Sequence, residues 1–157
     1  PPKQDNGKDY GLIRPLLANA AIKPTPADIA FARDEFRDLL RIRASSTLFR
    51  LRSAAEVKAR LKFYNTGSRQ NPVLIVGHLD GTGLAGAGFK ELIYLVNVDP
   101  VAQSVLLPQE KDKTYVLHPV HLAPGAADLR PATQARYERA TGRFLIPART
   151  ALVYVVN

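Results

Sequence analysis

At 157 residues, with 46% apolar and 23% charged side chains, the chain suits one ordinary folded domain with an appendage, which excludes a disordered tract. It has no cysteine, which excludes disulfides and thiolate metal sites and leaves the compartment open. The apolar runs span only a few residues, far short of the roughly 20 that a membrane-spanning helix needs, and a formal net charge of +8 raises the question of a polyanion partner.

Between Arg33 and Lys62 the basic residues alternate with Asp34, Glu35, Asp38 and Glu56. Mixed signs of this kind make a solvated surface rather than a phosphate-binding stripe, so neither a nucleic-acid nor a membrane partner is expected. The chain opens on Pro-Pro-Lys with neither the charged start nor the apolar core of a signal peptide, and is expected to begin inside a longer protein.

Residues 1 to about 24 are rich in Pro, Asn, Gly and Asp around one apolar knot, Leu12–Leu17, and read as an ordered loop with at most a short helix. Thr25-Pro26-Ala27-Asp28 then starts a helix, with Thr25 as N-cap, Pro26 at the first helical position and Asp28 reaching back. Ile29, Ala32, Phe36, Leu39 and Leu40 recur at three- and four-residue intervals, an apolar stripe expected to pack on a core. Ser53-Ala54-Ala55-Glu56 repeats the capping chemistry for a second, shorter helix.

From about Arg60 the pattern changes to short alternating or β-branched runs. They fall at 61–64, 73–79, 92–98, 104–107, 114–117, 135–138, 144–146 and 151–156. Strands this close together leave no room for crossover helices, so the fold class is mainly β, an antiparallel sandwich of about eight strands behind a short helical segment. The domain boundary is placed between residues 59 and 60.

Several motifs carry a chemical suggestion. Gly81-Thr82-Gly83-Leu84-Ala85-Gly86 has the spacing of a dinucleotide fingerprint, but that site needs a helix from the third glycine and a crossover of at least about a dozen residues. Only Phe89, Lys90 and Glu91 separate Gly88 from the next strand, so the stretch reads as a flexible hairpin loop and no cofactor is expected. His118 and His121 suggest a metal pair, yet strand alternation sends residues three apart to opposite faces, and no metal site is expected. His78 and Asp80 share a strand face and read as a salt-tuned strand end. Asp80, Asp99, Asp112 and Asp128 occupy turns, where Asp hydrogen-bonds its own backbone, so no pair of acids stands out as glycosidase acid and nucleophile. Phe36, Phe63, Tyr94 and Phe144 read as core.

Six segments, LIRPLLANAAIKPTPADI, DLLRIRASSTLFRL, ARLKFYNTG, LIYLVNVD, YVLHPV and TGRFLIPARTALVYVV, resemble in that order the C-terminal region of pullulanase-type alpha-1,6-glucosidases of the alpha-amylase superfamily. The resemblance implies that residues 1–59 are the last loop and helices of a (β/α)8 catalytic barrel and residues 60–157 the C-terminal β-sandwich. It also implies a parent that hydrolyses alpha-1,6 linkages of branched alpha-glucans such as pullulan, starch or glycogen by a retaining mechanism. The family's three carboxylates lie upstream of any position here, so no catalytic residue is carried over and the chain by itself is expected to be inactive. The first loop, Pro1–Gly11, resembles the stretch beside the active-site end of the barrel, which makes Asp5 and Asn6 candidate substrate-binding residues. Cut from a barrel, the stripe of Ile29, Phe36, Leu39 and Leu40 is expected to fold back on the sandwich or to mediate a dimer. The alternatives are an independent carbohydrate-binding module and a basic nucleic-acid-binding domain.

Overall fold

A computed structural model describes residues 2–157. The chain divides into two compact units, the first ending at Arg33 and the second spanning Asp34–Asn157. Among the described residues no helix is long and apolar enough to cross a membrane.

The first unit is more helical than its Pro and Gly content suggests. Helix α1 (Lys3–Asn6) runs through a 3-10 turn (Gly7–Asp9) into α2 (Tyr10–Ala18), and a further 3-10 turn covers Ala20–Ile22. Pro15 lies inside α2. The carbonyl that Pro15 leaves without a helical donor belongs to Gly11, an exposed residue that water can serve, so the helix runs through the proline. Neither α1 nor α2 buries a residue.

Helix α3 (Pro26–Ser45) begins as its capping residues dictate. The Thr25 amide donates to Asp28 Oδ2 at 2.8 Å, and the Asp28 amide donates to Thr25 Oγ1 at 3.2 Å. Its apolar stripe packs only in part: Leu39 is half-buried against Ile42 and Leu48, whereas Phe36 is 61% exposed and Ile29 and Leu40 are exposed too, and the buried residues of the helix are Asp38 and Ile42. Periodicity locates a stripe without saying what covers it. Helix α4 (Ala54–Arg60) follows, with the complete Ser53/Glu56 capping box.

All eight expected strands form, each end within two residues of its expected position. They are β1 (Leu61–Tyr64), β2 (Leu74–Asp80), β3 (Glu91–Asn97), β4 (Gln103–Leu106), β5 (Val116–Leu117), β6 (Arg136–Glu138), β7 (Arg143–Ile146) and β8 (Thr150–Val156). One antiparallel sheet has the order β1-β2-β3-β8-β5, and a second has the order β4-β7-β6. Alternation sends Leu74, Val76, Ile93, Leu95, Leu152 and Tyr154 into a core shared with Phe144 and Ile146 of the second sheet. The opposite face of the larger sheet is covered as well. There Leu79, Leu92, Val153 and Val155 pack with Ile42 and Leu48, which explains why its middle strands read as nearly continuous apolar runs. Phe144 is 0% exposed as expected, whereas Phe63 lies at the surface.

Candidate functional site

The densest group of titratable side chains lies between the sheets at one end of the sandwich, and it follows from strand register. On β2 the inward residues after Leu74 and Val76 are His78 and Asp80. The residue of β3 paired with Asp80 is Glu91, one step diagonally from His78. Hence His78 Nε2 meets Glu91 Oε2 at 2.8 Å, while Asp80 turns to its own loop and accepts the Thr82 amide at 2.9 Å. The expected His78–Asp80 pair is therefore replaced by a His78–Glu91 pair across the strands.

Three more groups reach the same place from the segment between β4 and β5. Glu110, 1% exposed, accepts a hydrogen bond from the Tyr115 hydroxyl at 2.7 Å and pairs with the Lys113 ammonium at 2.8 Å. Lys113 also donates to Glu91, and Tyr64 of β1 hydrogen-bonds Glu110. The Tyr137 hydroxyl donates to the Glu110 carbonyl at 2.6 Å and fixes this segment to the second sheet. Burial opposes the charge on both carboxyls. The hydrogen bonds from Lys113, Tyr115 and Tyr64 to Glu110, and from Lys113 and His78 to Glu91, outweigh it and hold both below the usual glutamate range. Burial likewise opposes the Lys113 charge, but the two carboxylates raise its pKa. Burial and Glu110 push the Tyr64 and Tyr115 phenols up, so they remain donors. A carboxylate only accepts, so His78 Nε2 carries the ring proton and Nδ1 is a buried nitrogen with no hydrogen-bond partner.

This geometry does not suit glycoside hydrolysis. That chemistry needs one protonated acid and one free carboxylate facing a sugar-sized cleft. Glu91 and Glu110 are both held ionised and both committed to Lys113, and of the two only Glu91 lines the adjoining polar cavity of about 270 Å³, together with Lys62, Asp80 and Thr82.

The Glu35 carboxyl is pushed upward, by burial first and then by Asp128 and Asp38, as a general acid would be. Its acidic neighbours are already engaged. Asp128 grips Arg130 through both oxygens at 2.8 and 2.7 Å, and Asp38 accepts from Arg41 and from the Ala127 amide. Neither acidic neighbour is thus a free carboxylate that could complete a catalytic pair with Glu35.

The remaining sequence candidates resolve as structural devices. His118 and His121 are both buried, because the segment Pro119–Leu122 is a 3-10 turn to which strand alternation does not apply. The Ser45 hydroxyl donates to the Ile42 carbonyl and accepts from His118 Nε2 at 2.9 Å, while His118 Nδ1 accepts the Val120 amide. No basic nitrogen faces Ser45, so the pair cannot generate a nucleophile. His121 Nε2 accepts the Val153 amide at 3.1 Å. Burial lowers both imidazoles, that of His121 to about 4, and keeps them neutral.

The glycine-rich connection between β2 and β3 contains no helix, in agreement with its reading as a hairpin loop, and hydrogen bonds tie it to neighbouring elements. Arg60 donates to the Asp80 and Thr82 carbonyls, the Thr47 amide and hydroxyl to the Gly86 and Ala85 carbonyls, and the Ser46 hydroxyl to the Ala87 carbonyl. Asp80, Asp99 and Asp128 each accept a backbone amide two residues on, as turn aspartates do.

Asp5 is exposed and Asn6 half-buried, both on α1 in the first unit; Pro1, the start of that loop, lies outside the described residues. Sequence reasoning passed over Glu110, Lys113, Tyr64 and Tyr115. The i,i+3 spacing of Glu110 and Lys113 followed by Tyr115 is a legible signal, but only the fold brings it to Glu91.

The sequence matches, over residues 1–157, the family described as alpha-1,6-glucosidases, pullulanase-type, C-terminal. It is 33% identical over 162 residues to pullulanase 1, chloroplastic, of Arabidopsis thaliana, an alignment covering 99% of this chain and 16% of that protein. Its structure is similar to the apo pullulanase of Klebsiella pneumoniae, with a TM-score of 0.79 and 25% identity over 99% of this chain and 17% of that one. It is also similar to PulA of Klebsiella oxytoca, with a TM-score of 0.72 and 26% identity over 85% of this chain and 12% of that one. The chain thus spans less than a fifth of the length of each of these relatives.

Proposed function

The chain belongs to the C-terminal family of pullulanase-type alpha-1,6-glucosidases, and from that membership we propose that it is the supporting, non-catalytic portion of a longer debranching enzyme. The upstream part hydrolyses alpha-1,6-glucosidic linkages of pullulan, starch or glycogen, and this portion stabilises it. The observation that carries the reading is one of extent: the match runs the length of the chain, yet that length is 16% of the plant pullulanase. The chemistry of the sandwich is consistent with it, since Glu91 and Glu110 are spent on Lys113.

In this reading residues 1–59 are the end of the catalytic barrel and residues 60–157 the C-terminal domain, a boundary of origin rather than of packing. Asp5 and Asn6 border the glucan cleft. The exposed Ile29, Phe36 and Leu40 are covered by the upstream barrel, and in its absence they draw two copies of the chain together.

The experiment is hydrolysis of pullulan and branched dextrin by the purified chain beside the longer protein from its own gene. Activity in the longer protein alone is expected. Hydrolysis by the chain on its own overturns the reading.

A further inference from the structure

We propose that His78, Glu91 and Glu110 form a binding site for a divalent first-row metal ion of the zinc class, which enters by displacing the ammonium of Lys113. Three observations lead there. The first is the donor set. One imidazole nitrogen and two carboxylate oxygens, one from each residue, lie within 4.8 Å of one another. Donor atoms around a single zinc at ~2.1 Å stand about 3.4 Å apart, so the three need to close only modestly on an ion placed among them.

The second observation is charge. Two carboxylates held ionised face one ammonium, leaving a net negative charge in a group whose deepest member, Glu110, is 1% exposed. At the rim of the cavity Lys62 and Asp80 offset one another. A divalent ion in place of the ammonium brings the group to neutrality, which is the condition a poorly solvated cluster favours.

The third observation is that the site is built for exchange. The Lys113 side chain is 27% exposed, on a flexible stem that can swing outward without moving the backbone. Tyr115 and Tyr64 hydrogen-bond Glu110 and hold its carboxylate in place, as second-layer partners of metal ligands do. Binding at Nε2 moves the ring proton of His78 to Nδ1, a buried nitrogen without a partner, a cost that the metal–nitrogen bond must offset. Three protein ligands leave a fourth position toward the cavity for water. Lys113 keeps its proton as it leaves, so no net proton is released.

The test is zinc titration of the metal-stripped longer protein carrying this chain, by calorimetry, with Co²⁺ absorption in the visible as a readout of ligand geometry. The wild type is expected to bind zinc at a site that His78→Gln weakens at least tenfold, with loss of the corresponding cobalt band. Lys113→Met, which removes the competing ammonium, is expected to tighten the same site at least tenfold, a response that adventitious binding to surface histidine does not give. Equal zinc affinity in wild type and His78→Gln overturns the proposal, as does a Lys113→Met protein that folds and binds no tighter. Should Lys113→Met fail to fold, the His78→Gln comparison decides alone.

Discussion

Lowering the pH from 7 to 4.5 is expected to cost the fold about 2.5 kcal/mol through His121 alone. The imidazole is 5% exposed, its Nε2 accepts the Val153 amide, and burial holds its pKa at about 4 against an ordinary 6.5. The unfolded chain takes up a proton as the pH passes 6.5, and the folded chain does not until about 4, so protons favour unfolding throughout that window. Linkage between those two values gives the loss of about 2.5 kcal/mol at pH 4.5, with a ceiling of about 3.4 kcal/mol below pH 4. His118, lowered in the same direction, adds to it. Glu91 and Glu110 are shifted down from 4.5, so the stability they contribute is present above that pH and is lost mostly beneath it, as the pH falls through their folded values. Lys113 is shifted up from 10.5 and holds its contribution until the pH rises beyond that, which leaves a plateau of stability between pH 7 and 10. Urea unfolding at pH 7 and 4.5, followed by circular dichroism for wild type and His121→Asn, measures the effect. The wild type should lose the stated amount, and the variant, less stable at pH 7, should lose distinctly less. A stability independent of pH between 7 and 4.5, or the same slope in both proteins, refutes the reasoning.

Substitutions at three positions test other parts of the fold. Gly142 has φ +75°, and a Cβ there would lie 2.2 Å from the Leu107 carbonyl oxygen, so Gly142→Ala should destabilise by roughly 3 kcal/mol or more, seen as a lowered urea midpoint at unchanged slope. Ser53→Ala removes one half of the α4 capping box and should cost about 1 kcal/mol in the same assay. In metal-free buffer Lys113→Met leaves Glu91 and Glu110 without their shared cation and should cost about 2–4 kcal/mol, most of which Lys113→Arg should recover in thermal melts.

The strands were legible because period-2 alternation and turn chemistry are local properties, and both capping boxes formed for the same reason. What the sequence could not supply was the covering of a surface. Of the stripe with helical period Leu39 reaches the core while Ile29, Phe36 and Leu40 are exposed, and the face of α3 that turns inward places Asp38 beside the Ala127 amide, a partner 89 residues away. The Pro, Asn, Gly and Asp content around the Leu12–Leu17 knot suggests a loop with at most a short helix, whereas the nine-residue α2 runs through Pro15, which an exposed helix tolerates. The polar cluster stayed hidden for a related reason: alternation puts His78 and Asp80 on one face, but the choice of Glu91 as partner for His78 depends on the β2–β3 register, and Glu110 and Lys113 arrive from the far side of the sandwich. Strand alternation separates His118 and His121, but the 3-10 turn Pro119–Leu122 replaces the strand and buries both imidazoles.

The central claim is that this portion supports catalysis without taking part in it, and the most direct test is Phe144→Ala in the longer protein. Phe144 is 0% exposed at the centre of the sandwich core, and its truncation should cost about 3–5 kcal/mol. Pullulan hydrolysis by the folded protein is measured at 25 °C, and the half-life of that activity on heating. The account predicts kcat and KM unchanged at 25 °C and a half-life shortened in step with unfolding of the sandwich. A half-life unaffected while the sandwich melts, or a kcat lowered in fully folded protein, contradicts it.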